Sequence, residues 1–381
     1  MADKLRVGIL GCGGMAKGHV RGYLHTGRYE IAALADLSEE AMAGYDAEFG
    51  FSTKHYTDAR KMLDAEKLDV VSIGVWHTGH APWTVAAAAR RPRAILCEKP
   101  MADTIQAGEQ MLVACRRNNV KLIIGHQRRF LPSYTLAREL IAEKAIGDVQ
   151  MIQSFGADGL PNYCSHQTDM FRYLLSDDEC EWAMGNVERK TDRWERGTRI
   201  EDCAIALYQF RCGARAMILC QVTPVVYQGA HVYGSEGMID FSTTELRLLN
   251  KDTGGAWKLY CPDGKFFKPQ EQGDRFEWIE GAVAQADELA DWIEGKVETH
   301  RGRGENGYKA LEMIHAIYES ARCHEKVIMP LQTRVNALDL MIDSGHLAPQ
   351  RPGRYEIRAY GLHGERMWSD GTVDALNEER A

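Results

Sequence analysis

The chain has 381 residues, 45% hydrophobic and 26% charged, with a formal net charge of −8, the make-up of a globular protein of about two domains. The acidic balance and the lack of a long basic block exclude nucleic acid as a partner; with no apolar run near the ~18 residues of a membrane span and no leader ahead of the first strand, a cytoplasmic protein without a membrane partner is expected. Ten cysteines scattered without CxxC pairs read as reduced, mostly buried thiols, and Cys164 with His166 is too small a ligand set for zinc, so no metal is expected.

The first third alternates strand and helix, with no repeat of fixed period. An apolar run at 5–10 reads as a buried parallel strand and breaks into Gly11-Cys12-Gly13-Gly14-Met15-Ala16 ahead of a helical pattern. This GxGxxA spacing suits a dinucleotide. Gly11 allows the tight turn, Gly13 lets backbone N–H groups approach a pyrophosphate, and Ala16 keeps helix and strand close. The next apolar run, 31–35, ends in Asp36, placed to grip a ribose 2′-hydroxyl. No Arg or Lys follows in Leu37-Ser38-Glu39-Glu40, so NAD is the expected cofactor rather than NADP. A helix to residue 49 capped by Ser38, a strand at 53–56 and a helix over 58–65 lead to 68–75, an apolar run typical of a strand covered on both faces. It ends in Trp76-His77-Thr78-Gly79-His80, at the sheet edge where ligands sit in open α/β folds. A helix over 81–91, a strand at 94–97, a helix over 104–118 and a strand at 121–125 complete a doubly wound parallel sheet.

Within that series Glu98-Lys99-Pro100 directly follows a strand, which puts Lys99 on the same edge as the glycine-rich turn. A cation there can bond a substrate hydroxyl and favour the negative charge that grows on its oxygen during hydride loss. A surface lysine before a helix-starting proline fits the position equally well. The arginine pairs 90–91, 116–117 and 128–129 read as solvated faces or local pairs, and a tight crossover at 125–129 joins the two halves.

The second half predicts a helix over 134–144, a strand at 149–155 and a helix over 165–175. Mostly strands follow from 182 to 259, with a hairpin about Arg211-Cys212-Gly213 and a turn at Gly234-Ser235-Glu236-Gly237. Helical periodicity returns at 279–293 and 307–323. This is an α+β domain with a mostly antiparallel sheet, and the domains are set at 1–125 and 126–381. The tail from 334 reads as a short helix and a surface extension that meets another subunit. Ahead of the helix at 165, Asn162-Tyr163-Cys164-Ser165-His166 spaces Asn162 and His166 four apart, on one face if the turn is helical. His166 is the residue type that takes a hydroxyl proton near neutral pH; a packed helix-end histidine is the alternative. Arg193, Trp194, Arg196 and Arg199 fall in a loop between strands, where guanidinium groups meet either an anionic substrate or water.

With GCGGMAKGH, Asp36, CEKP and the SHxxDxxxYL run of 165–174, the sequence resembles the Gfo/Idh/MocA (glucose–fructose oxidoreductase/inositol dehydrogenase) family. The resemblance spans residues 5 to 330 and includes GHQRRF at 125–130 and AIYESA at 316–321. It implies an N-terminal Rossmann domain, a C-terminal sheet domain that mediates a homo-oligomer, dimer or tetramer, and a peptide before Pro100 that is often cis in relatives. It implies Lys99 as the catalytic lysine and His166 as the active-site histidine. Cofactor contacts are expected from Gly11, Gly13, Gly14, Met15 and Asp36 on one side, and from Trp76, His77, His80, Glu98, Lys99 and Gln127 on the other. Substrate contacts are expected from Lys99, Asn162, Tyr163, His166 and Arg193. Many relatives carry Asp four residues before the histidine, whereas Asn162 stands there in this chain. An amide neither accepts a proton as a carboxylate does nor raises a histidine's basicity by charge, so the proton-accepting role falls to His166.

The expected activity is NAD-dependent hydride transfer between nicotinamide and a secondary hydroxyl of a small carbohydrate: a sugar, sugar acid or polyol. One alternative is an oxidoreductive glycosidase that oxidises, eliminates and re-reduces, with Tyr163 or His166 as an extra base and no net NADH. A second is a non-catalytic dinucleotide-binding regulator, against which the presence of Lys99 and His166 weighs.

Overall fold

Six short strands, apolar except for β3 at the edge, form the first sheet: β1 (Leu5–Leu10), β2 (Tyr29–Ala35), β3 (Lys54–Tyr56), β4 (Val70–Ile73), β5 (Ala94–Cys97) and β6 (Lys121–Ile124). They belong to a computed structural model that describes residues 4–223, 228–259 and 279–356. The order is β3-β2-β1-β4-β5-β6, and every neighbouring pair is parallel. Helices α1 (Ala16–Thr26), α2 (Glu39–Phe49), α3 (Ala59–Ala65), α4 (His77–Ala88) and α5 (Ile105–Asn118) alternate with them. Their starts follow the sequence chemistry: Ser38, Asp58 and Thr104 accept hydrogen bonds from the backbone N–H groups of Ala41, Arg60 and Ala107. The strand order reverses between β1 and β4, which brings the loops after β1, β4 and β5 to one edge.

One boundary differs from expectation in a way that matters. Helix α4 begins at His77, because the N–H of Gly79 already closes onto Trp76 O at 2.8 Å. His77 and His80 therefore ride on its first turn instead of a loop.

The second half adds α6 (Pro132–Ala142), β7 (Val149–Gly156), α7 (Ser165–Leu174), β8 (Cys180–Glu188), β9 (Thr191–Glu195), β10 (Thr198–Arg199), β11 (Cys203–Phe210) and β12 (Arg215–Cys220). It continues with β13 (Gly229–Gly234), β14 (Gly237–Ser242), β15 (Leu246–Asn250), β16 (Lys258–Leu259), α8 (Ile279–Glu294), α9 (Gly304–Cys323), β17 (Val327–Ile328), α10 (Ala337–Asp343) and β18 (Arg351–Glu356). Nine of these strands make a sheet in the order β16-β15-β14-β13-β7-β12-β11-β8-β17, antiparallel except where β12 meets β7. Alternate residues such as Ala204, Ala206 and Tyr208 point into a core shared with α6, α7 and α9. Residues 193–199 do not form the expected loop: β9, β10 and β18 make a separate three-stranded sheet. The β9–β10 turn is Arg196-Gly197 with φ of 48° and 80°, the positive angles of a tight hairpin turn, but Arg-Gly lacks the Asn-Gly signature that announces one.

Helix α8 lies against α1, not on the nine-stranded sheet. Its Ala286, Leu289 and Ala290 join Val7, Val20 and Tyr23 in one core, Tyr29 donates its hydroxyl to Ala286 O at 2.6 Å, and Arg28 pairs with Asp287, Asp291 and Glu294. Between the halves runs a single 3-10 turn, Gln127–Phe130, in which Arg128 and Arg129 are both buried and so are not a solvated face. Arg129 forks onto Asp169 of α7, with Nε 2.8 Å from Oδ2 and Nη2 2.7 Å from Oδ1, and reaches Asp177 at 2.7 Å. The described cysteines are free thiols, most of them buried. Among the described residues no helix is long and apolar enough to cross a membrane. The tail expectation beyond residue 356 falls outside the described residues.

Candidate active site

The glycine-rich turn is shaped by contact with β4. Gly11 takes φ of 92°, and a Cβ there would meet the Gly74 carbonyl carbon at 2.9 Å. Ala16 is wholly buried beside Gly74, where an added Cβ would fall 2.7 Å from the Ala16 methyl. Around Gly14, by contrast, a Cβ would touch nothing within 4 Å. Met15 is exposed at the rim. Asp36 accepts from Cys12 N at 2.7 Å and Ser38 N at 2.9 Å. A carboxylate has lone pairs to spare beyond these two bonds, so it can also accept from ribose hydroxyls. The open cradle at Gly14 and the adjacent carboxylate fit a dinucleotide whose ribose lacks a 2′-phosphate.

From the same edge, Glu98 turns inward. Its Oε1 lies 3.0 Å from His19 Nε2, His19 Nδ1 lies 2.8 Å from Ser72 Oγ, and its Oε2 accepts the Lys99 N–H at 3.0 Å. Burial pushes the Glu98 carboxyl up, but the bond and charge of His19, with Lys99, outweigh it and hold it down at about 2. The Lys99–Pro100 peptide is cis. His80 is committed to the same scaffold, with ring nitrogens 2.7 Å from Pro100 O and 2.9 Å from Val75 O.

Lys99 is half-buried, and its ammonium donates to Asn162 Oδ1 at 3.1 Å. Burial pushes it down to about 8 against the pull of Glu98, and Arg196 and Arg128 push in the same direction. Asn162 also lies 3.4 Å from Glu195 Oε1 through Nδ2 and 3.4 Å from Arg196 Nη1 through Oδ1. Burial raises Glu195 above the usual carboxylate range, although Arg196 is 3.1 Å away. Four residues beyond Asn162, His166 is buried, and its Nδ1 has no partner among the described residues; burial first, then Arg128, Lys99 and His126, hold it well below its usual value, so it is neutral at pH 7. His126 stands edge-on to it at 5.8 Å between ring centroids. Among the described residues His77 Nε2 and Gln127 Oε1 are likewise buried without partners. Buried polar atoms are ordinarily paired, so the unpartnered ring nitrogens of His166 and His77 are available to a ligand. Arg128 lies 4.7 Å over the ring of Tyr163. Arg193 bonds Gln221 and lies 3.7 Å from Asp158. Among the described residues no three His, Cys, Asp or Glu side chains gather as a metal site.

The model of the oxidoreductase family's NAD-binding Rossmann fold matches residues 5–126, and that of its C-terminal alpha/beta domain matches residues 138–329. The chain belongs to the Gfo/Idh/MocA oxidoreductase family. Among relatives, a 1,5-anhydro-D-fructose reductase of Ensifer adhaerens is 26% identical, covering 83% of this chain and 96% of its own length. A D-apiose dehydrogenase of Paraburkholderia graminis is 27% identical over 82% and 87%. The structure of a levoglucosan dehydrogenase in complex with NADH and levoglucosan superposes with a TM-score of 0.75 at 22% identity, covering 86% of this chain and all of that one, a likeness of fold. As a Gfo/Idh/MocA protein, this chain is an NAD-binding oxidoreductase whose relatives act on sugars and polyols.

Of the expected site residues, Lys99, Asn162, Tyr163, His166 and His77 come together around the cleft, while Glu98 and His80 brace its floor. Arg193 is held back by its own partners. Sequence reasoning passed over Arg128, which reads as half of a surface arginine pair, and Glu195, which carries no signal inside the charged stretch Trp194-Glu195-Arg196. The one available cue for Glu195 was its alternation with Arg193 along a strand.

Proposed function

We propose that this member of the family oxidises a secondary hydroxyl of a sugar, sugar acid or polyol, with residues 1–125 holding the dinucleotide and 126–381 the substrate. The observation that carries this reading is the bond from Lys99 to Asn162, four residues before a neutral, buried His166 whose Nδ1 has no partner among the described residues. Bound NAD supplies the hydride acceptor. Lys99 donates to the oxygen of the reacting hydroxyl and stabilises negative charge on it. Neutral His166 accepts the hydroxyl proton. Asn162 aims Lys99, and Glu98 fixes its backbone through the 3.0 Å bond. Tyr163 is a poor candidate for the extra base that the glycosidase alternative needs, because burial raises its phenol further. A homo-oligomer and a cytoplasmic setting belong to the same reading.

The test is a panel of sugars, sugar acids, polyols and glycosides incubated with NAD, with NADH and products both quantified. Oxidised sugar equal in amount to NADH is expected, and Lys99→Ala and His166→Ala are each expected to lower turnover ~10²–10⁴-fold. Full turnover in both variants would sink the mechanism, and glycoside cleavage without net NADH would move the assignment to the oxidoreductive glycosidase.

A further inference from the structure

A single amide oxygen in the cleft takes two cations: Asn162 Oδ1 lies 3.1 Å from Lys99 Nζ and 3.4 Å from Arg196 Nη1. Arg128, buried over Tyr163, is a third positive charge close enough to act on both Lys99 and His166. The carboxylates that answer them do so unevenly. Glu98 is ionised and acts on Lys99, but its two oxygens are bonded to His19 and the Lys99 backbone N–H and not to the cationic side chains. Glu195 touches Arg196 at 3.1 Å and offsets part of its charge, although burial raises its carboxyl. His77, His126 and His166 are neutral by burial and add no countercharge. In a chain with a net charge of −8, three cations, Lys99, Arg196 and Arg128, thus gather about an uncharged amide with two carboxylates, Glu98 and Glu195, to answer them. A low-dielectric site of that kind attracts an anion.

The placement of Arg196 is also specific. It occupies a positive φ of 48°, a conformation that costs a bulky side chain and that persists where surrounding structure demands it. Its hairpin neighbours are committed elsewhere. Arg199 pairs with Asp339 and Asp343, and Arg193 bonds Gln221 and Glu201 O. Only Arg196 of the three reaches the oxygen that holds Lys99. Among the described residues its contacts to Glu195 and Asn162 both use Nη1, and its side chain is 33% exposed, which leaves the rest of the guanidinium fork for a ligand.

We propose that the substrate is a sugar bearing an anionic substituent, a carboxylate or a sulfonate, and that Arg196, with Lys99 and Arg128 behind it, selects that group. The inference rests on the dehydrogenase reading only for where the sugar sits. An Asp at position 162 would supply the countercharge from the protein itself; the amide leaves it to the ligand.

Calorimetric binding to the NAD-loaded protein tests this without turnover. The probes are matched sets: glucose, glucuronate and 6-deoxy-6-sulfoglucose, with the corresponding galactose and mannose sets. In at least one set an anionic member is expected to bind ~10-fold or more tightly than its neutral parent, the scale of one charge-assisted hydrogen bond. The carboxylate and sulfonate arms then show which anion is preferred. Arg196→Gly should collapse that ratio toward one while keeping the fold, since glycine accepts the positive φ; a thermal melt no lower than that of the wild type confirms the fold. Arg196→Lys should keep part of the ratio. The absence of any such gap across the sets, or its survival in Arg196→Gly, overturns the proposal. NADH formed from neutral sugars with no gap would leave the dehydrogenase reading standing alone, and a gap without hydride transfer to any sugar would do the reverse.

Discussion

Lys99 holds its charge at an energetic cost. Burial pushes it down to about 8 from an ordinary value of about 10.4. The folded value lies below the unfolded one, so below about pH 8 the lysine is protonated in both states and the destabilisation is fully present; it fades as pH rises from about 8 to about 10.4. Lys99→Met removes the buried charge. The variant is expected to be more stable than the wild type at pH 7 by up to about 3 kcal/mol, measured by urea unfolding, with the difference vanishing towards pH 10. Its NADH formation should be ~10²–10⁴-fold slower, as for Lys99→Ala. A variant less stable at pH 7 would mean that the bond to Asn162 outweighs the burial. The same titration bears on activity. With Lys99 acting as a cation, hydride transfer should fall as pH passes through about 8, and a rise there would hand proton acceptance to the lysine. At this scale the sequence was informative where a residue follows a motif. Asp36, Lys99 and His166 each sit at a fixed step from a strand end or helix start. Arg128 and Arg129 look the same in sequence, yet one faces the cleft and the other is locked to Asp169. Only the path of the chain distinguishes them.

Among the elements, the β1 turn, α1 and β4 act as one unit. Ala16 and Gly74 pack so closely that a Cβ at Gly74 would lie 2.7 Å from the Ala16 methyl. Gly74→Ala must push α1 away from β4, with an expected loss of roughly 1–3 kcal/mol in thermal or urea unfolding. Because α1 also carries His19, which bonds Ser72 and Glu98, the shift should weaken NAD binding and misplace Lys99 together. Adding Ala16→Gly vacates the space, and the double variant should regain most of the NAD affinity seen by fluorescence titration. If it regains none, steric contact is not what the third fingerprint position provides. The GxGxxA spacing made Ala16 legible, whereas Gly74 belongs to an ordinary apolar strand run and shows its purpose only when β4 is set beside β1. The β9–β10 hairpin was illegible for another reason. Its turn uses Arg-Gly, and what favours arginine there lies across the cleft at Asn162, far away in sequence.

At the scale of the whole molecule, the nine-stranded sheet has one face packed by helices and one face that breaks the usual rule. Outward positions of an antiparallel sheet are ordinarily polar. Here Met184, Leu207 and Met217 sit side by side across β8, β11 and β12, and Ile205, Leu219 and Phe155 form a parallel row. Met184 is 51% exposed and Ile205 48%, so the rows are open in the single chain. The apolar rows each span three strands and are flanked on the same face by Asn186, Gln153, His231 and Asp240; with strands about 4.8 Å apart the whole face is roughly 40 Å wide, ample for the ~800 Å² that each partner buries in a stable complex. A two-fold axis would pair this partly apolar surface with itself, which is the physical basis for the proposed homo-oligomer. Ile205→Glu sets a carboxylate in the middle of the patch, and across a two-fold axis it sets two carboxylates near each other. Light scattering is expected to show a dimer or tetramer for the wild type and a smaller species for Ile205→Glu. The substituted residue lies on the sheet face away from the Lys99 cleft, so NADH formation per chain should change far less than the mass. A wild-type protein that scatters as a monomer at micromolar concentration would overturn the assignment of this face to a second copy.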